Sequence, residues 1–188
     1  MLAQQILETE RLLLRPFKIG DAKRVQILAG RKEVAETTNL PHPYKIEMAE
    51  GWIKTHEPTF REGRGVTFAI TLKDTGELIG TISLMDITKT SNHARIGFWI
   101  GVPYWNKGYC TEAGKAVLEY GFVERGLNRI YTGYMISNLA SGRVLEKLGM
   151  KYEGTQRQHI TKMGEYEDLV LVGLLRSEWE TITKKDKI

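Results

Sequence analysis

The middle of the sequence has a strand-like hydrophobic period, and this feature restricts the fold more than any other. Apolar residues alternate over 66–72 and 77–87, and residues 73–76 (Lys-Asp-Thr-Gly) separate the two segments. Alternation is typical of half-buried strands, and a short glycine-containing connection is typical of a hairpin. Residues 94–102 form a third such segment. The pattern therefore predicts a run of antiparallel strands joined by short turns.

Segments on either side of this run are predicted to alternate between strands and helices. We predict further strands over 10–16 and 129–136 and on both sides of the turn at 162–165, and helices over 22–29, 45–61, 111–125 and 138–149. Asp21 is expected to cap the first helix, and residues 37–44, with two prolines, are expected to form a loop. This order predicts a mixed α/β fold with a sheet that is partly antiparallel and partly parallel.

Length and composition indicate one globular domain. The chain has 188 residues, of which 41% are hydrophobic and 27% charged. A chain of this size buries about 70% of its surface, which is enough for one core. We therefore predict a single domain over 1–183 and a basic tail over 184–188. The longest apolar run has about seven residues, whereas a membrane-spanning helix needs about 20.

Charge and cysteine content restrict the partners and the compartment. The net charge of +4 is spread along the chain and suits a small polyanionic ligand at least as well as nucleic acid. We expect no nucleic-acid partner and no membrane partner. Cys110 is the single cysteine, and the N-terminus lacks the features of a secretory signal, so we expect a cytoplasmic protein. The four histidines are scattered, so we expect no metal site.

Residues 98–113 carry the strongest functional signal. A strand ends there, a loop rich in Gly, Pro and Asn follows, and a helix begins. A helix N-terminus attracts phosphate through its free N–H groups, and Gly108 allows the backbone to approach an anion closely. Lys107 adds a positive charge. The segment has neither GxxxxGK[ST] nor GxGxxG, and a plain strand–loop–helix connection is the alternative interpretation.

The segment ARIGFWIGVPYWNKGYCTEA resembles the acetyl-CoA-binding motif of the GNAT family of N-acetyltransferases. It is similar in particular to the ribosomal-protein N-terminal acetyltransferases (RimJ/RimL-like). Trp105, Gly108 and Cys110 stand at the positions of the family's Gln/Arg-x-x-Gly-x-Gly/Ala loop, where only Gly108 is the usual residue. Similarity extends over roughly 8–180 through three further segments: ETERLLLRPFKIGDA, NLASGRVLEKLGMKYEG and residues 168–179.

The resemblance implies a GNAT fold and an acetyltransferase activity. The fold would have a central, mostly antiparallel twisted sheet of about seven strands, splayed between the fourth and fifth strands and flanked by helices. The activity would be transfer of an acetyl group from acetyl-CoA to an amine by direct attack, without an acyl-enzyme and without a metal. Cys110 is therefore not expected to act as a nucleophile, since no histidine stands beside it.

The resemblance also implies a set of cosubstrate-binding residues. The backbone of the fourth strand would hold the pantetheine arm, and the loop N–H groups would hold the pyrophosphate. Arg143 and Lys147 lie four residues apart and could reach the nucleotide phosphates, although a solvated basic helix face is an equal alternative. The residues expected to bind acetyl-CoA are Ile100, Gly101, Val102, Asn106, Lys107, Gly108, Tyr109, Cys110, Thr111, Asn138 and Arg143.

Two residues of the segment 138–149 are predicted to take part in catalysis. Asn138 would cap the helix and also bind the pantetheine. Ser141 resembles the residue that gives its proton to the leaving thiolate, with Tyr131, Tyr134 or Tyr152 as alternatives. A strand N–H near Ile100 would polarise the thioester carbonyl.

The general base is less well defined. Many relatives carry a glutamate just before the glycine of the fourth strand, but Arg95 stands at that position and cannot act as a base at neutral pH. His159 is the predicted base, since histidine titrates in the right range. The alternatives are a chain of water molecules and the side chains of His42, Glu47, Glu165, Glu167 and Asp168.

The acceptor is predicted to be a protein N-terminal α-amino group, as in the ribosomal-protein enzymes. The loop TTNLPHPY lacks the acidic cluster that a polyamine would favour, and this favours a peptide. One alternative is a small amine, such as a polyamine, an aminoglycoside or an amino-acid derivative. Another is a non-catalytic acetyl-CoA-binding sensor. The sequence leaves the oligomeric state open, a homodimer included.

Overall fold

The structure, a computed structural model, describes residues 3–185 and has one eight-stranded sheet with helices on both faces. The strands are β1 (Leu7–Glu8), β2 (Leu12–Arg15), β3 (Val66–Leu72), β4 (Leu78–Thr88), β5 (His93–Ile100), β6 (Arg129–Met135), β7 (Lys151–Lys162) and β8 (Glu165–Leu175). The α-helices are α1 (Ala22–Ala29), α2 (Lys32–Thr37), α3 (Ile46–Lys54), α4 (His56–Arg61), α5 (Tyr109–Glu119), α6 (Leu139–Lys147) and α7 (Arg176–Lys185).

The sheet has the order β1-β2-β3-β4-β5-β6-β8-β7. Only β5 and β6 pair in parallel, and every other neighbouring pair of strands is antiparallel. The predicted mixed α/β fold is therefore confirmed. The strand beyond the expected seven is β1, which pairs with β2 through Leu7 and Leu14.

Two cores lie on opposite faces of the sheet. The main core packs α5 and α6 against one face and draws buried side chains from Leu12 to Leu174. The second core packs α1 and α3 against the other face through residues such as Val25 and Ile53. The interpretation of residues 1–183 as one domain stays a prediction, which the extent of the main core supports.

Local rules predicted several elements closely. The hairpin of β3 and β4 and the bounds of α1 agree with the sequence pattern. Helix α6 begins where predicted, because the Asn138 side chain accepts the backbone N–H of Ser141 at 3.1 Å. It ends where predicted, because Gly149 takes a left-handed φ of +82° that favours glycine.

The predicted helix over 45–61 is in fact two helices, and the prediction of one helix was wrong. Helix α3 ends at Lys54 and α4 begins at His56. Pro58 has no N–H to donate to the carbonyl of Lys54, so the hydrogen-bond ladder breaks there. Helices α2 and α7 were not predicted.

Asp21 does not cap α1 through its side chain, contrary to the prediction. Its carboxylate instead accepts two hydrogen bonds from the Arg15 guanidinium, at 2.7 and 2.9 Å. It also accepts the backbone N–H of Lys18 at 2.8 Å, which places it on the preceding 3-10 turn. Two charge-assisted bonds to arginine therefore outweigh one bond to a helix N–H.

The C-terminal end of the chain is partly helical. Helix α7 runs through Lys185, and residues 186–188 of the predicted basic tail lie outside the described residues. Among residues 3–185, no helix has both the length and the hydropathy needed to cross a bilayer.

A partly buried histidine lies in an aromatic cluster outside the sheet. The His56 ring lies 4.4 Å from the ring centre of Trp52 and 5.2 Å from that of Phe17. Neither His56 ring nitrogen has a hydrogen-bond partner among the described residues, and both are shielded from solvent. Burial lowers the pKa of His56 from 6.5 to about 4.

This histidine should make the fold sensitive to acid. The unfolded chain takes up a proton at His56 below pH 6.5, whereas the folded chain resists it down to about pH 4. The contribution of neutral His56 to the free energy of unfolding is therefore fully present above pH 6.5 and is lost as the pH falls toward 4. Between pH 7 and pH 4.5, we expect the decrease in the free energy of unfolding to be about 2 kcal/mol smaller in His56→Phe than in the native chain. Urea unfolding at both pH values measures this. His42→Phe, on an exposed loop residue, is the control, and an equal loss in all three proteins would contradict the assignment.

Candidate active site

The parallel pair β5–β6 stays together for only three residues. His93, Ala94 and Arg95 pair with Arg129, Ile130 and Tyr131. Beyond this point β5 continues beside β4, while β6 continues beside β8. The two strands therefore separate and leave a gap in the middle of the sheet.

The edge of β5 exposes backbone groups to this gap. The Gly101 N–H donates to the carbonyl of Ile79 at 2.8 Å, so it points toward β4. Backbone N–H groups alternate in direction along a strand, so those of Ile100 and Phe98 point into the gap. An extended ligand in the gap could pair with these two residues as an added strand would.

The predicted strand over 94–102 ends at Ile100, and this corrects the predicted position of Val102. Residues 102–104 form a 3-10 turn with Pro103 in it, and the Val102 carbonyl accepts the N–H of Trp105 at 3.2 Å. Val102 therefore does not present its backbone to the gap as a strand residue would. Phe98 takes its place, two residues before Ile100.

The loop before α5 has the backbone geometry expected of an anion site. Asn106 and Gly108 have left-handed φ values of +59° and +81°. The first α-helical hydrogen bond of α5 joins the Glu112 N–H to the Gly108 carbonyl at 3.0 Å. The N–H groups of Tyr109, Cys110 and Thr111 come before it and have no acceptor within the helix. They are therefore able to bind an anion together with the positive end of the helix dipole.

Arg11 braces this loop from the other end of the chain, a role that the sequence analysis missed. Its guanidinium donates to the Lys107 carbonyl at 3.1 Å and to the Glu112 carboxylate at 2.7 Å. It also lies 4.6 Å from the centre of the Tyr109 ring. Partial burial would raise the pKa of Glu112, but hydrogen bonds from Thr9 and Arg11 outweigh it and lower that pKa. The carboxylate thus stays charged and holds Arg11 against the loop.

A cavity of about 300 Å³, here called cavity A, lies between this loop, the end of β5 and helix α6. Nine of the predicted site residues line it: Ile100, Asn106, Gly108, Tyr109, Cys110, Thr111, Asn138, Ser141 and Arg143. Gly101, Val102 and Lys107 do not. A side chain at position 101 would point toward Leu28. The Lys107 ammonium lies 5.7 Å from the centre of the Tyr104 ring.

The charge of cavity A favours an anionic ligand. Arg143 and Lys147 line it from one face of α6, and no Asp or Glu among the described residues does. Neither Arg143 nor Lys147 forms an ion pair within residues 3–185. Two unpaired cations beside free helix N–H groups suit a polyphosphate better than a neutral ligand.

Cys110 lines cavity A as a protonated thiol. Burial raises its pKa to about 12, so the thiolate is not populated at neutral pH. This agrees with the prediction that Cys110 is not a nucleophile.

Asn138 and Ser141 form a connected pair at the start of α6. The Asn138 amide donates to the Ser141 hydroxyl oxygen at 3.0 Å and to the Thr37 carbonyl at 3.1 Å. The Ser141 hydroxyl thus accepts a hydrogen bond, and its own proton stays available for another acceptor. This arrangement suits a proton donor.

A second cavity of about 650 Å³, here called cavity B, lies where β5 and β6 separate and is lined by residues of both strands. His159, which is exposed on β7, lines cavity B but not cavity A. The two cavities share six residues: Thr37, Thr38, Phe98, Trp99, Asn138 and Ser141. Two ligands, one in each cavity, can therefore meet beside Ser141.

The other sequence candidates lie farther from this junction. Tyr134 lines cavity B, whereas Tyr131 and Tyr152 line neither cavity. The alternative bases also line neither cavity: His42, Glu47, Glu165, Glu167 and Asp168. Glu167 accepts the Ser137 hydroxyl, and Asp168 accepts the backbone N–H of Gln158.

Comparison with known proteins identifies relatives along nearly the whole chain. The family profile described as "Acetyltransferase (GNAT) domain" matches residues 11–151. The N-acetyltransferase YoaA of Bacillus subtilis, described as uncharacterized, is 34% identical over 171 residues, which cover 91% of this chain and 97% of that protein. The [Ribosomal protein uS5]-alanine N-acetyltransferase of Escherichia coli is 30% identical over 183 residues, which cover 92% of each.

The fold is also similar to solved structures. A GNAT-family acetyltransferase from Bacillus anthracis superposes with a TM-score of 0.82 at 27% identity, over 92% of this chain and 99% of that one.

Proposed function

The chain belongs to the GNAT family and is an acetyl-CoA-dependent N-acetyltransferase, and on this premise we propose that its acceptor is the N-terminal α-amino group of a protein. The observation that carries the proposal is the junction of cavities A and B beside Ser141. It would give acetyl-CoA and an extended acceptor separate cavities and one meeting point. Such an arrangement supports direct transfer, since it holds both reactants close together.

The proposal assigns cavity A to acetyl-CoA, which supplies an activated acetyl thioester. The N–H groups of residues 108–111 would hold the pyrophosphate, and Arg143 with Lys147 would neutralise further phosphate charge. The N–H groups of Phe98 and Ile100 would align the pantetheine arm along β5. One of them would also donate to the thioester oxygen and stabilise the charge that develops on it.

Two protons move in the proposed reaction. The Ser141 hydroxyl gives its proton to the leaving sulfur and regains one from solvent after the thiol departs, while the Asn138 amide donates to the hydroxyl oxygen throughout. The attacking amine loses its proton toward cavity B, where the His159 imidazole is the proposed acceptor, directly or through water. Gly101, Val102 and Lys107 support the loop and the strand end in this proposal, without lining the cavity.

The acceptor assignment has two supports. One is the similarity to the enzyme from Escherichia coli that acetylates an alanine of ribosomal protein uS5. The other is that no Asp or Glu among the described residues lines cavity B, whereas a polyamine would need carboxylates there. The proposal includes a cytoplasmic location, which suits a chain with a single cysteine.

A substrate panel tests this function. Purified protein and acetyl-CoA are mixed with short peptides that have a free α-amine, with the same peptides blocked at the N-terminus but carrying an internal lysine, and with spermidine. We expect release of free thiol only with the unblocked peptides, and mass spectrometry should place the acetyl group on the α-amine. Preferred turnover of spermidine would contradict the proposal. No turnover with any amine would favour the sensor alternative.

A further inference from the structure

One arginine lies in cavity B, at the point where β5 and β6 separate. We propose that Arg95 binds a carboxylate of the acceptor, so that the enzyme selects protein N-termini with Asp or Glu at the second or third residue. This inference rests on the proposed function and names the acceptor class within it.

The strand geometry directs Arg95 into cavity B. Its neighbours on β5, Ala94 and Ile96, are fully buried in the main core. Side chains alternate along a strand, so Arg95 projects from the opposite face together with Trp99. Arg95 and Trp99 both line cavity B, and the position between them is Gly97, over which the Met85 side chain lies.

Arg95 has hydrogen-bonding capacity left for a ligand. Its Nε donates to the Asp86 carboxylate at 3.0 Å. Its Nη2 has only the Met85 sulfur nearby, at 4.0 Å, and no oxygen accepts a hydrogen bond from either Nη atom among residues 3–185. Arginine presents five donors in a plane, so the Nη edge can still bind a carboxylate through two parallel bonds.

The charge of cavity B favours an acidic acceptor. Arg95 and His159 are its basic side chains, and none of the described residues that line it is Asp or Glu. An N-terminal amine is itself a cation before it reacts. Asp86 pairs with Arg95 on the Nε side, so the Nη edge is what remains for the acceptor. An acidic peptide would pair with that edge, whereas a neutral or basic peptide would bring its positive amine toward the guanidinium and leave the edge unpaired.

The spacing fits the second or third acceptor residue. The amine must reach the junction of the cavities beside Phe98, three residues along β5 from Arg95. A strand rises about 3.3 Å per residue, so this separation is about 10 Å along the strand. An extended peptide covers up to about 3.6 Å per residue, so its second and third side chains come within reach of the guanidinium.

Peptides that differ at one position test the inference. We compare kcat/KM for peptides with Asp, Ala or Lys at the second residue, and for a matched set that varies the third residue. We expect about a tenfold preference for Asp over Ala at one of these positions, as one charge-assisted hydrogen-bonded pair supplies. The preference should shrink in high salt.

Variants identify the residue responsible. Arg95→Gln should bring the Asp-to-Ala ratio close to one, and Arg95→Glu should reverse the preference so that Lys is favoured. Asp86→Asn should increase the preference for Asp, because it removes the carboxylate that pairs with Arg95. Asparagine is the suitable replacement, because it also tolerates the left-handed φ of +54° at that position. Arg61→Gln is the matched control, since Arg61 is an exposed arginine paired with Glu57 on α4.

The outcomes separate this inference from the proposed function. If peptides are acetylated at the α-amine without a charge preference, or with a preference that Arg95→Glu leaves unchanged, the inference is wrong and the function stands. If no peptide is acetylated but small amines that carry a carboxylate are, with the same dependence on Arg95, the carboxylate site stands and the protein acceptor is wrong. Turnover of basic amines alone would overturn both.

Discussion

Replacing Gly108 by valine should weaken acetyl-CoA binding about 100-fold, the loss expected when one or two charge-assisted hydrogen bonds disappear. Gly108 has a φ of +81°, which a β-branched residue avoids. A valine would turn the backbone out of this conformation and redirect the N–H groups at the start of α5. Its Cβ would also lie 3.4 Å from the Arg11 guanidinium that braces the loop. Isothermal titration with acetyl-CoA measures the effect.

A second glycine separates binding from folding. Gly76 has a φ of +69° in the turn between β3 and β4, and a Cβ there would meet nothing within 4 Å. Gly76→Val and Gly108→Val should therefore each lose about 1–2 kcal/mol of folding stability, because a residue with a side chain is strained in the left-handed conformation. Only Gly108→Val should lose acetyl-CoA affinity. If the two variants lose stability and affinity alike, Gly108 is only a structural glycine. Gly108→Ala gives a milder variant for the same comparison.

Replacing Ser141 by alanine should lower kcat roughly 10- to 100-fold, at or below the lower end of what general acid catalysis contributes. A thiolate leaves fairly well without help, so the gain from a proton donor is limited. Acetyl-CoA affinity should change little, because one hydroxyl contributes about 1 kcal/mol. Pre-steady-state kinetics at saturating acetyl-CoA separates the chemical step from binding.

The neighbouring Ser137 offers a matched control. Its hydroxyl donates to Glu167 and lines neither cavity, so Ser137→Ala should keep the native kcat. An unchanged kcat in Ser141→Ala would transfer the acid role to Tyr134, the one predicted tyrosine that lines cavity B. A large rise in Kd with kcat retained would instead make Ser141 a cosubstrate-binding residue.

Features that depend on local pattern were predictable from the sequence. The strands between residues 66 and 100 follow from alternation and short turns, and the ends of α6 follow from Asn138 and Gly149. The loop at 105–111 was recognisable because glycine and a helix start are both visible locally. Each of these signals operates over a few residues, so no knowledge of the tertiary structure is needed.

Features that depend on distant contacts were not predictable in this way. Arg11 reaches Glu112 across 101 positions of sequence, and no local pattern connects them. The choice of Phe98 over Val102 depends on where β5 ends, for which Pro103 was the available signal. Cavity B depends on the separation of two strands, which only the pairing of β6 with β8 determines.

The short parallel pairing of β5 with β6 also has a consequence for proteolysis of the protein. Three residue pairs connect β5 with β6, so strand pairing joins the two halves of the sheet over a short length only. A ligand that lies in the gap and binds only the folded chain lowers the population of opened molecules by mass action. Proteases degrade the opened population when opening and closing are fast. Bound acetyl-CoA should therefore slow proteolysis of the purified protein.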